Sequence, residues 1–362
     1  MSKEYRVMKG NEAMAEAALR AGCRFYAGYP ITPQSEILQY MSAHMAERGG
    51  VFLQGESEIA SMSMLWGAAA CGERVMTSSS GPGYDLKQEG ISYFASYNLP
   101  AVIADVMRYG TGDGEITAGQ DSYWLATKGG GHGDSRQIVL APASVQESAD
   151  LTYEAFDLAF KYRTQVILLS DGSIGQMIEK VYLPEHKEHD KDQYDWAIKG
   201  YKKPEETKVK VTNTDRSMDS YEEYNQMMQD KFRTMHENEQ RWENFMTEDA
   251  EFVLVAIGIS SRVCKSAVRR ARENGMRLGL IRPISVWPFP EKAFRDLPET
   301  VKGLATVEMS LSAQMGQDLM MAVRCKKPVY SYLTTKYIPT TQGIVDFCSD
   351  VLAGKVKELE VF

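Results

Sequence analysis

Short apolar runs alternate with stretches whose apolar positions recur at three- and four-residue steps through the first half of the chain. The runs predict strands at Arg24–Tyr26, Gly50–Gln54, Arg74–Ser78, Ala101–Val106 and Gln165–Ser170. Helical spacing covers Asn11–Ala21, Gln34–Ala46, Ile59–Cys71 and Val145–Tyr162, the first of these closed by Gly22. Ala101–Val106 is apolar with little alternation, the pattern of a strand covered on both faces. Strands and helices in this order predict βα units and a parallel sheet.

After Pro184 the pattern changes. His186–Lys208 is polar and charged, which predicts a linker or surface excursion. Tyr221, Tyr224, Met228, Phe232, Met235, Trp242 and Phe245 then fall at helical spacing. They predict an amphipathic helix packed on its own domains, with a subunit interface as the alternative. A second βα pattern begins near Glu251: a strand at Phe252–Gly258, a helix to about Asn274, and strands at Arg277–Ile281 and Thr306–Met309. The expected organisation is an α/β domain over 1–185, a charged linker and connecting helix over 186–250, and a second α/β domain over 251–362.

Composition narrows the function classes. A chain of 362 residues is long enough for two cores. With 49 acidic against 41 basic residues and no basic stripe, nucleic acid is not the expected partner. No apolar run approaches the ~20 residues that span a bilayer, and the first residues are no signal peptide, so the expected location is cytoplasmic without membrane attachment. The 5 cysteines are scattered, with no CxxC pair, so this chain alone is not expected to build an iron–sulfur cluster or a zinc site.

Candidate chemistry gathers at three strand-to-helix junctions of the first domain, where open α/β sheets bind ligands. In Tyr29-Pro30-Ile31-Thr32-Pro33, Thr32 suits an N-cap and Pro33 a first helical turn, and the pair could equally receive a small anion. In Gln54-Gly55-Glu56-Ser57-Glu58, two carboxyls precede a helix rich in Ala and Gly, expected to be buried. They could serve the helix dipole or a specific partner. Thr77-Ser78-Ser79-Ser80-Gly81-Pro82-Gly83 ends a strand in hydroxyls and a sharp turn that lets a ligand approach the backbone. It lacks the lysine of a Walker loop.

Glu58, a small-residue helix and then Ser79-Ser80-Gly81-Pro82-Gly83 resemble the pyrimidine-binding domain of thiamine-diphosphate (ThDP) enzymes. With Tyr29–Pro33, Val106-Met107-Arg108 and Gly131-His132-Gly133-Asp134, the chain is similar to the alpha subunit of the 2-oxoacid:ferredoxin oxidoreductases, most of all the branched-chain 2-oxoisovalerate (3-methyl-2-oxobutanoate) type. The likeness runs from about Lys9 to Pro184 and resumes with Phe252–Gly258 and Leu280–Pro290. It implies a parallel-sheet ThDP-binding domain and a second domain resembling the transketolase C-terminal domain.

The resemblance implies roles residue by residue. Glu58 matches the carboxyl that hydrogen-bonds N1′ of the aminopyrimidine, a bond that favours the imino tautomer able to take the thiazolium C2 proton. Glu56 is its rival, and Glu58 is preferred by its distance from the small-residue helix. Ser80, Gly81, Pro82 and Gly83 match the cofactor loop. Thr32 and Arg108 match the holders of the substrate carboxylate, with Pro30, Ile31 and Tyr109 beside them. Relatives carry Gly-Gly-Pro after the arginine where this chain has Tyr109-Gly110-Thr111-Gly112, which opens the role of Tyr109. His132 and Asp134 are further candidates.

Gly112-Asp113-Gly114 lacks the following asparagine of a diphosphate–Mg²⁺ site. ThDP is therefore expected to be shared with a diphosphate-binding partner subunit that holds the Mg²⁺. Iron–sulfur clusters are expected in partner subunits; the implied partners also include a gamma subunit and a ferredoxin-like iron–sulfur subunit, with ferredoxin as acceptor. The implied reaction is 2-oxoacid + CoA + oxidised ferredoxin → acyl-CoA + CO₂ + reduced ferredoxin. Alternatives are a subunit of an NAD-linked 2-oxoacid dehydrogenase or transketolase relative, the same class acting on 2-oxoglutarate or pyruvate, and a non-catalytic scaffold. A dicarboxylic substrate would want a second cation, and Tyr109–Trp124 has no Lys or Arg, which favours an apolar side chain. Lys87 or Lys128 could supply one instead.

Overall fold

The computed structural model describes residues 4–200 and 218–360. Its strands are β1 Tyr5–Lys9, β2 Phe25–Gly28, β3 Val51–Gln54, β4 Val75–Ser79, β5 Ala101–Tyr109, β6 Glu115–Ala118, β7 Ile138–Leu140, β8 Gln165–Asp171, β9 Ile178–Tyr182, β10 Trp242–Phe245, β11 Phe252–Val255, β12 Leu278–Pro283, β13 Ser285–Trp287, β14 Gly303–Glu308 and β15 Val329–Leu333. The first sheet has the order β13-β7-β8-β5-β4-β2-β3, with β6 folded back on β5. From β7 to β3 all neighbours are parallel. Every residue of β4, β5 and β8 is buried, which is why apolar and small residues dominate these strands, with Asp105, Arg108, Gln165 and Asp171 as the buried exceptions. Helices Gly10–Arg20 and Val145–Tyr162 pack together over one face. Helix Glu58–Ala70 contributes Met62, Leu65 and Ala69 to the core of the other.

The second sheet has the order β10-β12-β11-β14-β15, parallel except for β10. Directly after β12, the β13 segment pairs antiparallel with β7 of the first sheet. At the same boundary the buried Arg282 guanidinium takes both oxygens of Glu147 at 2.8 and 2.9 Å and Glu243 at 2.9 Å. A second tie runs from β8. The Asp171 carboxylate accepts from the Ile174 amide at 2.9 Å and, across the boundary, from the Ile259 amide at 2.7 Å. Burial pushes this carboxyl up to about 6.

One expectation for the connector changes, the extent of its helix. The helix runs over Met218–Asn238 and packs on the first domain, burying Met228 and Met235 and bonding the Tyr224 hydroxyl to the Ser96 carbonyl at 2.8 Å. Trp242 and Phe245 are not on it. The chain turns at Arg241, whose guanidinium clasps both oxygens of Glu154 at 2.7 and 2.9 Å, and continues as β10. Residues 186–200 run along the surface, most of them exposed, and are anchored there: His189 bonds the Gly72 carbonyl at 2.7 Å and stacks with Tyr194, Phe160 lies against both rings, and Ala197 is buried. The rest of the expected excursion, 201–208, lies outside the described residues. No helix among the described residues is long and apolar enough to cross a membrane.

Candidate active site

Four neighbouring strands deliver the candidate residues at their carboxyl ends. Beyond β2 comes Tyr29–Pro33; beyond β3, Glu58; beyond β4, Ser80–Gly83; and β5 itself ends on Arg108 and Tyr109. Thr32, Glu58, Ser79, Ser80, Gly81, Gly83 and Arg108 thus come to one crevice, the place an open α/β sheet offers a ligand.

Glu58 is the first residue of its helix. Ser57 is the N-cap, its hydroxyl accepting from the Ala60 amide at 3.2 Å. The Glu58 side chain is buried and faces Gly83: a Cβ there would overlap the carboxylate, reaching its Cδ at 3.1 Å and the Ser79 hydroxyl at 2.5 Å. Glu56, by contrast, is exposed. The hydroxyls of Ser79 and Ser80 are buried without a hydrogen-bond partner. A carboxylate beside two unpartnered hydroxyls and a bare glycine leaves polar capacity for a ligand with ring nitrogens and a flat face, so these residues fit an aminopyrimidine. The helix itself is not fully buried as expected: Ile59 is 51% and Met64 37% exposed.

Arg108 is buried beside Gly81, whose φ of +46° and missing Cβ admit it; an added Cβ would stand 2.7 Å from Nε. Nη1 donates to the Thr32 carbonyl at 3.2 Å, and Nη2 reaches the Asp113 carbonyl and, at 3.5 Å, its carboxylate. Nε has no partner. The guanidinium therefore joins the Thr32 loop to the loop at Asp113, and its Nε, lying against Gly81, keeps its donor unused.

Thr32 is not the N-cap. The helix begins at Ser35 after Gln34, and Thr32 is exposed at the crevice rim with Pro30, while Ile31 is half-buried. Gln34, unanticipated, is the buried anchor. It accepts from the Ser78 hydroxyl at 2.5 Å and donates to the Tyr29 carbonyl at 3.1 Å, and Ser78 also meets Tyr26 at 2.5 Å. This chain of bonds fixes the Tyr29–Pro33 loop to β4. Tyr109 is buried, and its backbone packs against the site where Gly119 would bear a Cβ.

Two further buried groups escaped sequence reading. Asp105 on β5 lies fully inside, both carboxylate oxygens without a partner, and burial pushes it up to about 8. The Tyr84 hydroxyl is likewise unpartnered and raised by burial and by Asp105. Lys87, considered as a second cation for the substrate, instead has its ammonium inside the protein, 3.2 Å from the Thr77 hydroxyl and 3.5 Å from the Glu58 carbonyl. Lys128, the other lysine considered, pairs with Asp318.

His132 and Asp134 do not join the crevice. They stand exposed on the wall of a separate cavity of about 660 Å³ lined also by Ser92, Tyr224, Met228 and Phe232. Asp113 is fully exposed on its loop. The described residues include no group of three or more His, Cys, Asp or Glu side chains placed to hold a metal ion.

Comparison with known proteins agrees with this geometry. The family model described as pyruvate flavodoxin/ferredoxin oxidoreductase, thiamine-diphosphate-binding, matches residues 16–247, and that for pyruvate:ferredoxin oxidoreductase core domain II matches 250–337. The ketoisovalerate oxidoreductase subunit VorB of Methanothermobacter marburgensis is 51% identical over 88% of this chain and 90% of its own. The 2-oxoglutarate synthase subunit KorA of Archaeoglobus fulgidus is 37% identical over 93% of this chain and 96% of its own. Among solved structures, a 2-oxoglutarate:ferredoxin oxidoreductase from Magnetococcus marinus matches 96% of this chain at a TM-score of 0.83 and 25% identity. The match spans 65% of that longer chain. A split-gene transketolase matches in fold alone, at a TM-score of 0.60 and 13% identity.

Proposed function

The chain belongs to the 2-oxoacid:ferredoxin oxidoreductase family, and from that premise we propose that it supplies the pyrimidine side of a ThDP site and the seat of the substrate carboxylate. The observation that carries the reading is the buried Glu58 carboxylate facing Gly83 with the Ser79 and Ser80 hydroxyls unpartnered beside it. Bound there, ThDP would supply the nucleophilic carbon and the electron sink that decarboxylation of a 2-oxoacid requires. Glu58 would hold a proton at a ring nitrogen of the cofactor, and Ser80 to Gly83 would form the wall beside it. Arg108 offers its unused donor, and Thr32 its hydroxyl, to the substrate carboxylate. Water exclusion comes from the buried floor of β4 and β5.

The proposed substrate is 2-oxoisovalerate, converted with CoA to the acyl-CoA. The VorB relative carries the corresponding name. The pocket chemistry agrees: Lys87 is engaged with Thr77 and the Glu58 carbonyl, Lys128 with Asp318, so neither is offered to a second carboxylate. The proposed partner on the exposed face of helix Glu58–Ala70 is a subunit holding the diphosphate and its Mg²⁺; Ile59 and Met64 on that helix are exposed, as are Leu86 and Tyr93 on the two helices that follow. Iron–sulfur subunits and ferredoxin complete the proposed assembly.

The test is an anaerobic assay of the complex purified through this chain, following CoA-dependent reduction of a low-potential dye. Fastest turnover with 2-oxoisovalerate, loss of at least about 10²-fold in Glu58→Gln, and iron and ThDP in the same sample are expected. Full activity in Glu58→Gln would overturn the assignment of the site; preference for 2-oxoglutarate or pyruvate would overturn the substrate alone.

A further inference from the structure

Among the described residues, Lys87 is the one lysine placed wholly inside the protein, and it lies next to the crevice. Its backbone ends helix Gly81–Leu86, and its side chain runs under the first turn of helix Glu58–Ala70. Burying an ammonium costs several kcal/mol unless partners compensate, and a Met or Leu would fill this volume without that cost. The partners are specific: the Thr77 hydroxyl on β4 at 3.2 Å and the backbone carbonyl of Glu58 itself at 3.5 Å.

We infer that Lys87 is a positioning residue for Glu58, pinning the first residue of the helix to β4 and setting the charge felt by its carboxylate. The inference rests on the reading of Glu58 as the pyrimidine-holding carboxyl. Of the titratable groups nearby, Glu58 is the one whose charge acts on Lys87. Tyr84 and Asp85 on the preceding turn and Asp105 from β5 act on one another instead. Burial pulls the Lys87 ammonium down to about 8, with Glu58 opposing, so it loses its proton just above neutrality. A neutral amine in that place keeps the packing and loses the charge.

The consequence separates positioning from mere packing. Lys87→Met in the assembled complex is expected to lower kcat about tenfold or more with the 2-oxoacid KM within about twofold. It should also release ThDP faster, measured by thiochrome fluorescence of cofactor retained after dilution. In the native complex kcat and retention should both fall as pH rises through about 8, and Lys87→Met should lack that alkaline limb. Thr77→Val removes one partner and keeps the charge, so it should move the limb to lower pH; it decides the matter if Lys87→Met fails to assemble. Glu58→Gln is run alongside. Native kcat, retention and pH limb in Lys87→Met, or an unmoved limb in Thr77→Val, with Glu58→Gln inactive, would overturn the role of Lys87. An active Glu58→Gln would instead remove the reading on which it rests.

Discussion

Gly83→Ala separates folding from chemistry at the site. Gly83 sits in helix Gly81–Leu86 at an ordinary helical φ, so alanine is conformationally welcome and gains up to about 1 kcal/mol of helix propensity. The new methyl, however, would stand 3.1 Å from the Glu58 Cδ and closer still to one carboxylate oxygen. Ordinary carbon–carbon contact needs about 3.5–4.0 Å, so the carboxylate must retreat by roughly 0.5–1 Å. It cannot retreat freely, because Ser57 caps its helix and Lys87 holds its carbonyl. A misplacement of about 1 Å in a catalytic group costs on the order of 10²-fold in rate, or about 2.7 kcal/mol of barrier. The complex carrying Gly83→Ala should therefore melt within about 2 °C of the native one, yet reduce a viologen with 2-oxoisovalerate and CoA about 10²-fold more slowly. A variant of native activity would refute the facing of Glu58 and Gly83 as the catalytic arrangement. A variant that fails to fold would refute the claim that the glycine serves the ligand and not the chain.

Other perturbations probe the remaining parts. Arg108→Lys keeps the charge and loses the planar fork between the Thr32 loop and the carboxylate seat; kcat/KM for the 2-oxoacid should fall about 10²-fold in steady-state assays. Arg282→Ala removes a buried guanidinium between the sheets while Glu243 keeps Lys265 and Glu147 keeps the Ala143 amide, and calorimetry should show a loss of roughly 1.5–3 kcal/mol. Asp105→Asn tests burial of a carboxyl. With its folded value raised from 3.8 to about 8, Asp105 supports the fold below pH 4 and withdraws that support as pH rises to about 8. The variant should melt progressively higher than the native chain from pH 5 to 8 and keep a constant advantage above, as scanning fluorimetry would show; a difference independent of pH would disprove it.

The parallel core was legible because burial on both faces leaves a local signature. The apolar runs Ala101–Val106 and Gln165–Ser170 fall within a few residues of β5 and β8, since a strand with two covered faces needs no alternation. β7 and β13 were not legible: each is 3 residues long, and their pairing joins segments on either side of the connector. Nor was the end of the connecting helix. Trp242 and Phe245 continue its apolar spacing, and it is the contact of Arg241 with Glu154 and Ser285, remote in sequence, that turns the chain.

The site divides along the same line. Glu58, Arg108 and Ser80–Gly83 sit where a strand ends, so position along the chain and residue type together point to them. Thr32 shows the limit. A threonine before a proline reads as an N-cap from neighbours alone, yet Gln34 takes the start of the helix because its side chain joins Ser78 to the Tyr29 carbonyl. Lys87 shows the same limit from the other side. A lysine one turn beyond Gly-Pro-Gly reads as a cation free to meet a ligand, and only the crossing of helix Glu58–Ala70 over β4 closes water away from it. Residues proposed to face a ligand are thus announced by strand ends, whereas those that hold them in place are set by contacts between elements. The second kind has no local pattern to carry it, and for that reason Lys87, Gln34 and Asp105 are the positions at which substitution is most informative.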